Sequence, residues 1–220
     1  MSGSTLGLPA DLRAYLLSVG VREPLVLTAL REETAALPQH DMQIAPEQGA
    51  LMAMLVELTG ARRCLEVGTF TGYSSTRIAM ALPADGSLVC CDISQEWTDV
   101  ARRYWEQAGV AHKVELRLGP ALDTLDGLLA EGQAGTFDFA FLDADKDNYP
   151  AYADRMLALL RSGGLLAVDN VFWGGEVSNP DVDTTAVQAI RHLNQSLADD
   201  ERVSLAMVPI ADGLTLARKR

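Results

Sequence analysis

Apolar residues gather in short, nearly unbroken runs at 63–67, 87–92, 113–118, 138–142 and 164–168, rich in Val, Leu and Phe and bounded by Gly, Asp or Pro. Such runs read as strands buried on both faces. Between them the period changes. Trp97, Val100, Ala101, Tyr104 and Ala108 share one helical face, as do Ala121, Leu122, Leu125, Leu128 and Leu129. Strand and helix alternate, so right-handed crossovers should build a mostly parallel sheet with helices on both faces, a doubly wound α/β fold. A further helical face, Ala186, Val187, Ile190, Leu193 and Leu197, precedes strands at 203–209 and 213–217 that flank Ala211 and Asp212. Those last two strands are expected to pair as an antiparallel hairpin. Upstream, helical patterns near 10–19, 24–37 and 47–59 are separated by a break at 42–46. No linker, repeat or low-complexity tract interrupts the chain, which predicts one domain over 1–220 with an N-terminal helical extension at about 1–59.

Composition narrows the function. With 220 residues, 48% apolar and 22% charged, a sizeable core can form without disulfides or metal staples. Lys and Arg total 18 against 30 Asp and Glu, a formal charge of −12. That field repels phosphate backbones and anionic bilayers, so neither nucleic acid nor a membrane surface is an expected partner. The terminal Arg218, Lys219 and Arg220 then read as a solvated end. Cys64, Cys90 and Cys91 sit inside strand-like runs and read as buried reduced thiols. His40, His112 and His192 are scattered, without ligand spacing, and read as surface or cap residues. No uncharged run approaches the ~18 residues of a membrane span, and no basic leader precedes the first helix, so a soluble cytoplasmic protein is expected.

In an open parallel sheet, ligands sit beyond the carboxyl ends of the strands. The first strand runs into LEVGTFTGYSS at 65–75, where Gly68 and Gly72 permit a tight turn and close backbone approach before a helix starting near Tyr73. Phe70 stands where a dinucleotide fingerprint has its second glycine, which argues against a pyrophosphate. Glu66 before the loop and Asp92 at the second strand's end can serve ribose hydroxyls or a cationic ligand, and together they favour an adenosine-bearing sulfonium. Taken singly, Glu66 fits an ion pair at the core edge and Asp92 a helix cap equally well. The fourth strand ends in FLDADKDNY at 141–149 and the fifth in AVDN at 167–170. Asp143, Asp169 and Asn170 can therefore converge, with Lys146 three residues past Asp143. Oxygen donors without Cys or His suit a hard divalent cation, whereas loop capping is the plainer role for either Asp alone.

MQIAPEQG, LEVGTFTGYSS, CDIS, LGPA, LDADKDNY and DNVFWGG occur in that order from Met42 onward. In these motifs the chain resembles the cation-dependent S-adenosylmethionine O-methyltransferases of the caffeoyl-CoA and catechol type, including bacterial natural-product members. The resemblance implies a class I methyltransferase domain with a Rossmann-like seven-stranded sheet whose last strand is antiparallel. It implies that Ile44, Glu66, Gly68, Thr69, Ser74, Asp92, Ala121, Asp145 and Tyr152 hold S-adenosylmethionine. By the same likeness Asp143, Asp169 and Asn170 ligate Mg²⁺, with Mn²⁺ or Ca²⁺ as alternatives. Lys146 and Asp143 are the implied catalytic residues, Lys146 as the general base. Met42, Lys146 and Trp173 would face a small catechol-like phenolic substrate, and family members form homodimers. Gly174 departs from the Asn that plant CoA-ester enzymes carry after the tryptophan. To act as a base, Lys146 must spend time neutral, which a nearby cation favours and Asp145 and Asp147 oppose. The competing readings are an NAD-dependent oxidoreductase on a similar sheet, an aminopropyl transferase, and a non-catalytic module that binds an adenosyl ligand. Phe70 and the lack of a Ser-Tyr-Lys constellation count against the first.

Overall fold

A computed structural model describes residues 5–220. Three helices come first: α1 (Ala10–Gly20), α2 (Leu25–Ala35) and α3 (Pro46–Leu58). The alternating part follows as β1 (Arg63–Val67), α4 (Tyr73–Ala81), β2 (Ser87–Asp92), α5 (Gln95–Gln107), β3 (Val114–Leu118), α6 (Ala121–Ala130), β4 (Phe137–Leu142), α7 (Tyr149–Leu159) and β5 (Leu160–Val168). Then come α8 (Thr185–Asp199), β6 (Val203–Val208) and β7 (Leu214–Lys219). The seven strands form one sheet in the order β3-β2-β1-β4-β5-β7-β6. β1 to β5 pair in parallel, while β7 runs antiparallel to both β5 and β6. The expected doubly wound sheet, its antiparallel end and the closing hairpin are all present.

Side-chain alternation sends successive strand residues to opposite faces. On β4, Phe137, Ala140 and Leu142 join the core under α6, α7 and α8, while Phe139 and Phe141 join the core under α2 to α5. Burying each such phenylalanine contributes about 1.5–3 kcal/mol over leaving it in water. All three cysteines are free and buried in these layers, and His40, His112 and His192 are exposed.

Two local expectations need correction. β5 begins at Leu160 rather than 164, because Gly163, at φ 82°, makes a bulge where the β4–β5 register slips between Phe137 and Phe139. The glycine pair marks an irregular strand, not its start. On α5 the buried side is Thr98, Ala101, Tyr104 and Trp105, which turns Trp97 out of the core.

The register aligns the strand tips. Val67 is level with Cys91 and with Leu142, and Leu142 with Val168. The next residues, Gly68, Asp92, Asp143 and Asp169, therefore stand in one row. Thr215 is level with Val168 on the antiparallel strand, so the β6–β7 turn that precedes it rises at this same edge.

Candidate active site

Along that row lies a cavity of about 730 Å³, within the ordinary range for a small-molecule site. Backbone geometry shapes its centre. Gly68 holds φ +92°, and a Cβ there would lie 1.9 Å from the Asp143 carbonyl oxygen. Only glycine lets the β1 and β4 tips approach this closely. Gly72, at φ 88°, opens α4. Asp92 fixes the loop between them: Oδ2 accepts the backbone N–H groups of Thr69 at 2.9 Å and Phe70 at 2.8 Å, and Oδ1 accepts that of Ser94 at 2.8 Å. The cap of α5 is Ser94, not Asp92; Asp92 instead ties the two loops together while lining the cavity, with lone pairs still available for a ligand's hydroxyls.

Ile44, Gly68, Thr69, Ser74, Asp92, Ala121, Asp145 and Tyr152 all line the cavity, as do Met42, Asp143, Lys146, Asn170 and Trp173. Asp145 is held by Tyr152, whose hydroxyl donates to Oδ1 at 2.7 Å, and by Asn148, whose Nδ2 donates to Oδ2 at 2.5 Å. Glu66 and Asp169 are the two expected site residues that do not line it. Both lie just beneath, fully buried. Burial is the main cause that lifts the Glu66 carboxyl to about 8; the Ser74 and Thr69 hydroxyls oppose that rise, and the Asp143 and Asp92 charges add to it.

The other end of the cavity carries the reactive groups. Lys146 Nζ donates to Asp143 Oδ1 at 2.9 Å and to the Tyr149 hydroxyl at 2.5 Å, and lies 5.8 Å from the Trp173 ring centroid. The carboxylate partner of Lys146 is Asp143, not the flanking Asp145 or Asp147. Asp169 Oδ1 accepts the Asn170 N–H at 2.7 Å, while Oδ2 is buried with no hydrogen-bond partner. Burial, and then Asp143, raise the Asp169 carboxyl to about 7. A buried carboxylate oxygen that makes no well-formed hydrogen bond, with the Gln48 amide as a nearby donor and a second carboxylate and an amide beside it, fits a cation. No group of three or more His, Cys, Asp or Glu is gathered as a metal site among the described residues; the expected set is two acids and an amide.

Four contributors escaped the sequence reading. Trp97 lines the cavity and packs edge-on against Phe70, with ring centroids 5.1 Å apart. Tyr149 lies fully buried under Lys146. Gln48, from the first turn of α3, is fully buried, makes no well-formed hydrogen bond and lies close enough to Asp169 to oppose the rise of its carboxyl. Asp212, from the β6–β7 turn, lines the cavity beside Asn170. An antiparallel last strand already implies that its leading turn lies at the carboxyl edge, which was the available signal for Asp212.

A sequence model described as O-methyltransferase matches residues 17–220. The chain is 48% identical over 205 residues to catechol O-methyltransferase domain-containing protein 1 of Mus musculus, covering 93% of this chain and 78% of that protein. It is 43% identical over 219 residues to caffeoyl-CoA O-methyltransferase 1 of Zea mays, covering 95% and 84%. In three dimensions it is similar to the O-methyltransferase TomG from Streptomyces achromogenes, involved in tomaymycin synthesis and solved with S-adenosylmethionine bound. There the TM-score is 0.86 at 38% identity, over 95% of this chain and 96% of the other.

Proposed function

The chain belongs to the O-methyltransferase family, an S-adenosylmethionine-dependent enzyme by that membership, and on this premise we propose that it methylates a phenolic hydroxyl of a small vicinal diphenol with a divalent cation at Asp143, Asp169 and Asn170. The observation that carries the cation is the fully buried Asp169 Oδ2, which makes no well-formed hydrogen bond and lies next to the Asp143 carboxylate. Mg²⁺ is the ion we assign, given an all-oxygen donor set.

The chemical obstacle is the acceptor's proton. A phenol with pKa near 10 is ionised about one part in a thousand at pH 7, a barrier contribution of roughly 4 kcal/mol. When bound, the cation would supply Lewis-acid stabilisation of the phenolate, and S-adenosylmethionine an electrophilic methyl group. The protein's own residues do the rest. Lys146 Nζ receives the phenol proton, and Asp143, at 2.9 Å, holds the ammonium that results. Tyr149 fixes Nζ from below. The Trp173 indole closes one wall and Met42 the mouth, orienting an aromatic acceptor and excluding water. Asp92 and Gly68 keep the donor's loop rigid, and Tyr152 with Asp145 forms the far wall of the same cavity.

The proposal extends to a homodimer in the cytoplasm. Three buried free thiols support a reducing compartment. The exposed Leu12, Tyr15 and Val19 on α1 support burial against a second copy. No helix of the described residues is long and apolar enough to cross a membrane.

The test uses vicinal diphenols, labelled methyl donor and metal-stripped protein. Turnover is expected to vanish with chelator or with Asp169→Ala while S-adenosylhomocysteine still binds. Undiminished turnover without metal removes the cation; binding with no methylated product from any diphenol removes the acceptor class.

A further inference from the structure

Asp212 is almost fully buried and touches two parts of one loop at once. Its Oδ2 accepts Asn170 Nδ2 at 3.4 Å, and its Oδ1 accepts the Gly174 N–H at 2.7 Å. Backbone bonds add to these: Phe172 N–H donates to the Asp212 carbonyl at 3.0 Å and Val171 N–H to the Gly213 carbonyl at 3.3 Å. The β6–β7 turn is thus stapled along residues 170–174. In that segment Asn170 and Trp173 hold φ +55° and +49°; asparagine takes up this region readily, whereas a tryptophan keeps it only where its surroundings enforce it.

Hydrogen-bond chemistry then fixes an orientation. The two ends of an amide are told apart by their partners, and a carboxylate only accepts. The Asn170 NH₂ therefore faces Asp212, and its carbonyl oxygen is the end turned away from Asp212 on a residue that lines the cavity. We infer that Asp212 is a positioning residue, which turns the Asn170 oxygen toward the cation site and holds the Trp173 segment in place through Gly174. This rests on the cation reading above.

Asp212→Asn removes that control. An asparagine can accept from only one of the two donors and must present its own NH₂ to the other. The Asn170 amide then flips to avoid opposing donors, aiming NH₂ at the cation. Exchanging the pair, Asn170→Asp with Asp212→Asn, restores a donor facing an acceptor, keeps an oxygen toward the ion and leaves the total charge unchanged.

The experiment titrates full-length protein with Mn²⁺ and follows the free ion by electron paramagnetic resonance, with S-adenosylhomocysteine affinity as the report on the fold. The parent is expected to take up Mn²⁺ at a site that Asp169→Ala abolishes. Asp212→Asn should weaken that uptake roughly 10–100-fold, as loss of an outer partner of a ligand does, and the exchanged pair should return to within about threefold of the parent, the coupling a double-mutant cycle measures. If the parent shows no Asp169-dependent uptake, the cation reading fails. If that uptake is present and Asp212→Asn equals the parent, the positioning role fails alone. Should Asp212→Asn not fold, the exchanged pair decides: if it too fails to fold, or folds without binding Mn²⁺, the inference is overturned.

Discussion

Replacing Glu66 by glutamine should make the cofactor-free fold less sensitive to alkali, by an amount its burial sets. The side chain is fully buried near the end of β1, with Oε1 accepting the Cys90 thiol at 3.8 Å and the Ser74 and Thr69 hydroxyls close enough to temper the effect of burial. Its proton affinity rises from an ordinary 4.5 to about 8, chiefly by burial. Below pH 4.5 the folded and unfolded chains both carry the proton. Between 4.5 and 8 the unfolded chain has released it and the fold still binds it, so stability falls as pH rises; above 8 the loss is complete. The gap converts to roughly 5 kcal/mol at about 1.4 kcal/mol per tenfold change in proton affinity. Glutamine keeps the shape and has no proton to lose. In urea unfolding from pH 5 to 8, the parent should therefore lose about 4 kcal/mol relative to Glu66→Gln. With m near 2–3 kcal/mol/M, the two midpoints should move apart by about 1.3–2 M. A separation that stays constant across that range means Glu66 is already ionised in the fold, and the argument from burial is wrong.

Two further outcomes follow from the same geometry. Gly68→Ala forces the β1 and β4 tips apart, since its Cβ would sit 1.9 Å from a backbone oxygen that no rotamer change can move; turnover should fall about 100-fold, the effect of misplacing reactive groups by about an ångström, and a rate within a fewfold of the parent would show that the tips need no such contact. Lys146→Ala should depress turnover strongly at pH 7 and recover toward the parent as pH approaches the phenol's own ionisation, because hydroxide then supplies the acceptor's anion; a pH profile parallel to the parent's would make Lys146 a positioning group for Asp143.

The strands and most of the pocket were legible because both depend on local pattern. Four of the five parallel strands are buried on both faces, the edge strand β3 with its Glu115 and Arg117 being the exception to the expected pattern, and each is followed by or ends in a polar or glycine residue at the edge where ligands collect. Expectation failed where a residue's role depends on partners distant in sequence. Gly163 marks a bulge only when set against β4. Trp97 sits on an apolar period yet packs against Phe70 at the cavity, while the buried face of α5 is Thr98, Ala101, Tyr104 and Trp105, whose indole N–H donates to Ser75 at 3.0 Å. Asp212 looked like turn chemistry and is that, but the antiparallel return of β7 also carries it to Asn170, 42 residues away. Glu66 and Asp169 were placed correctly at strand ends, yet lie one layer below the cavity wall, a depth that spacing along the chain does not encode.

The sheet order has a consequence for folding. β7 lies between β5 and β6, so until residues 214–219 dock, the apolar rim of β5, Leu165 to Val168, is an open edge, and an exposed strand edge invites pairing with other chains. Because the turn leading into β7 carries Asp212, closing that rim and assembling the reactive end are one folding event.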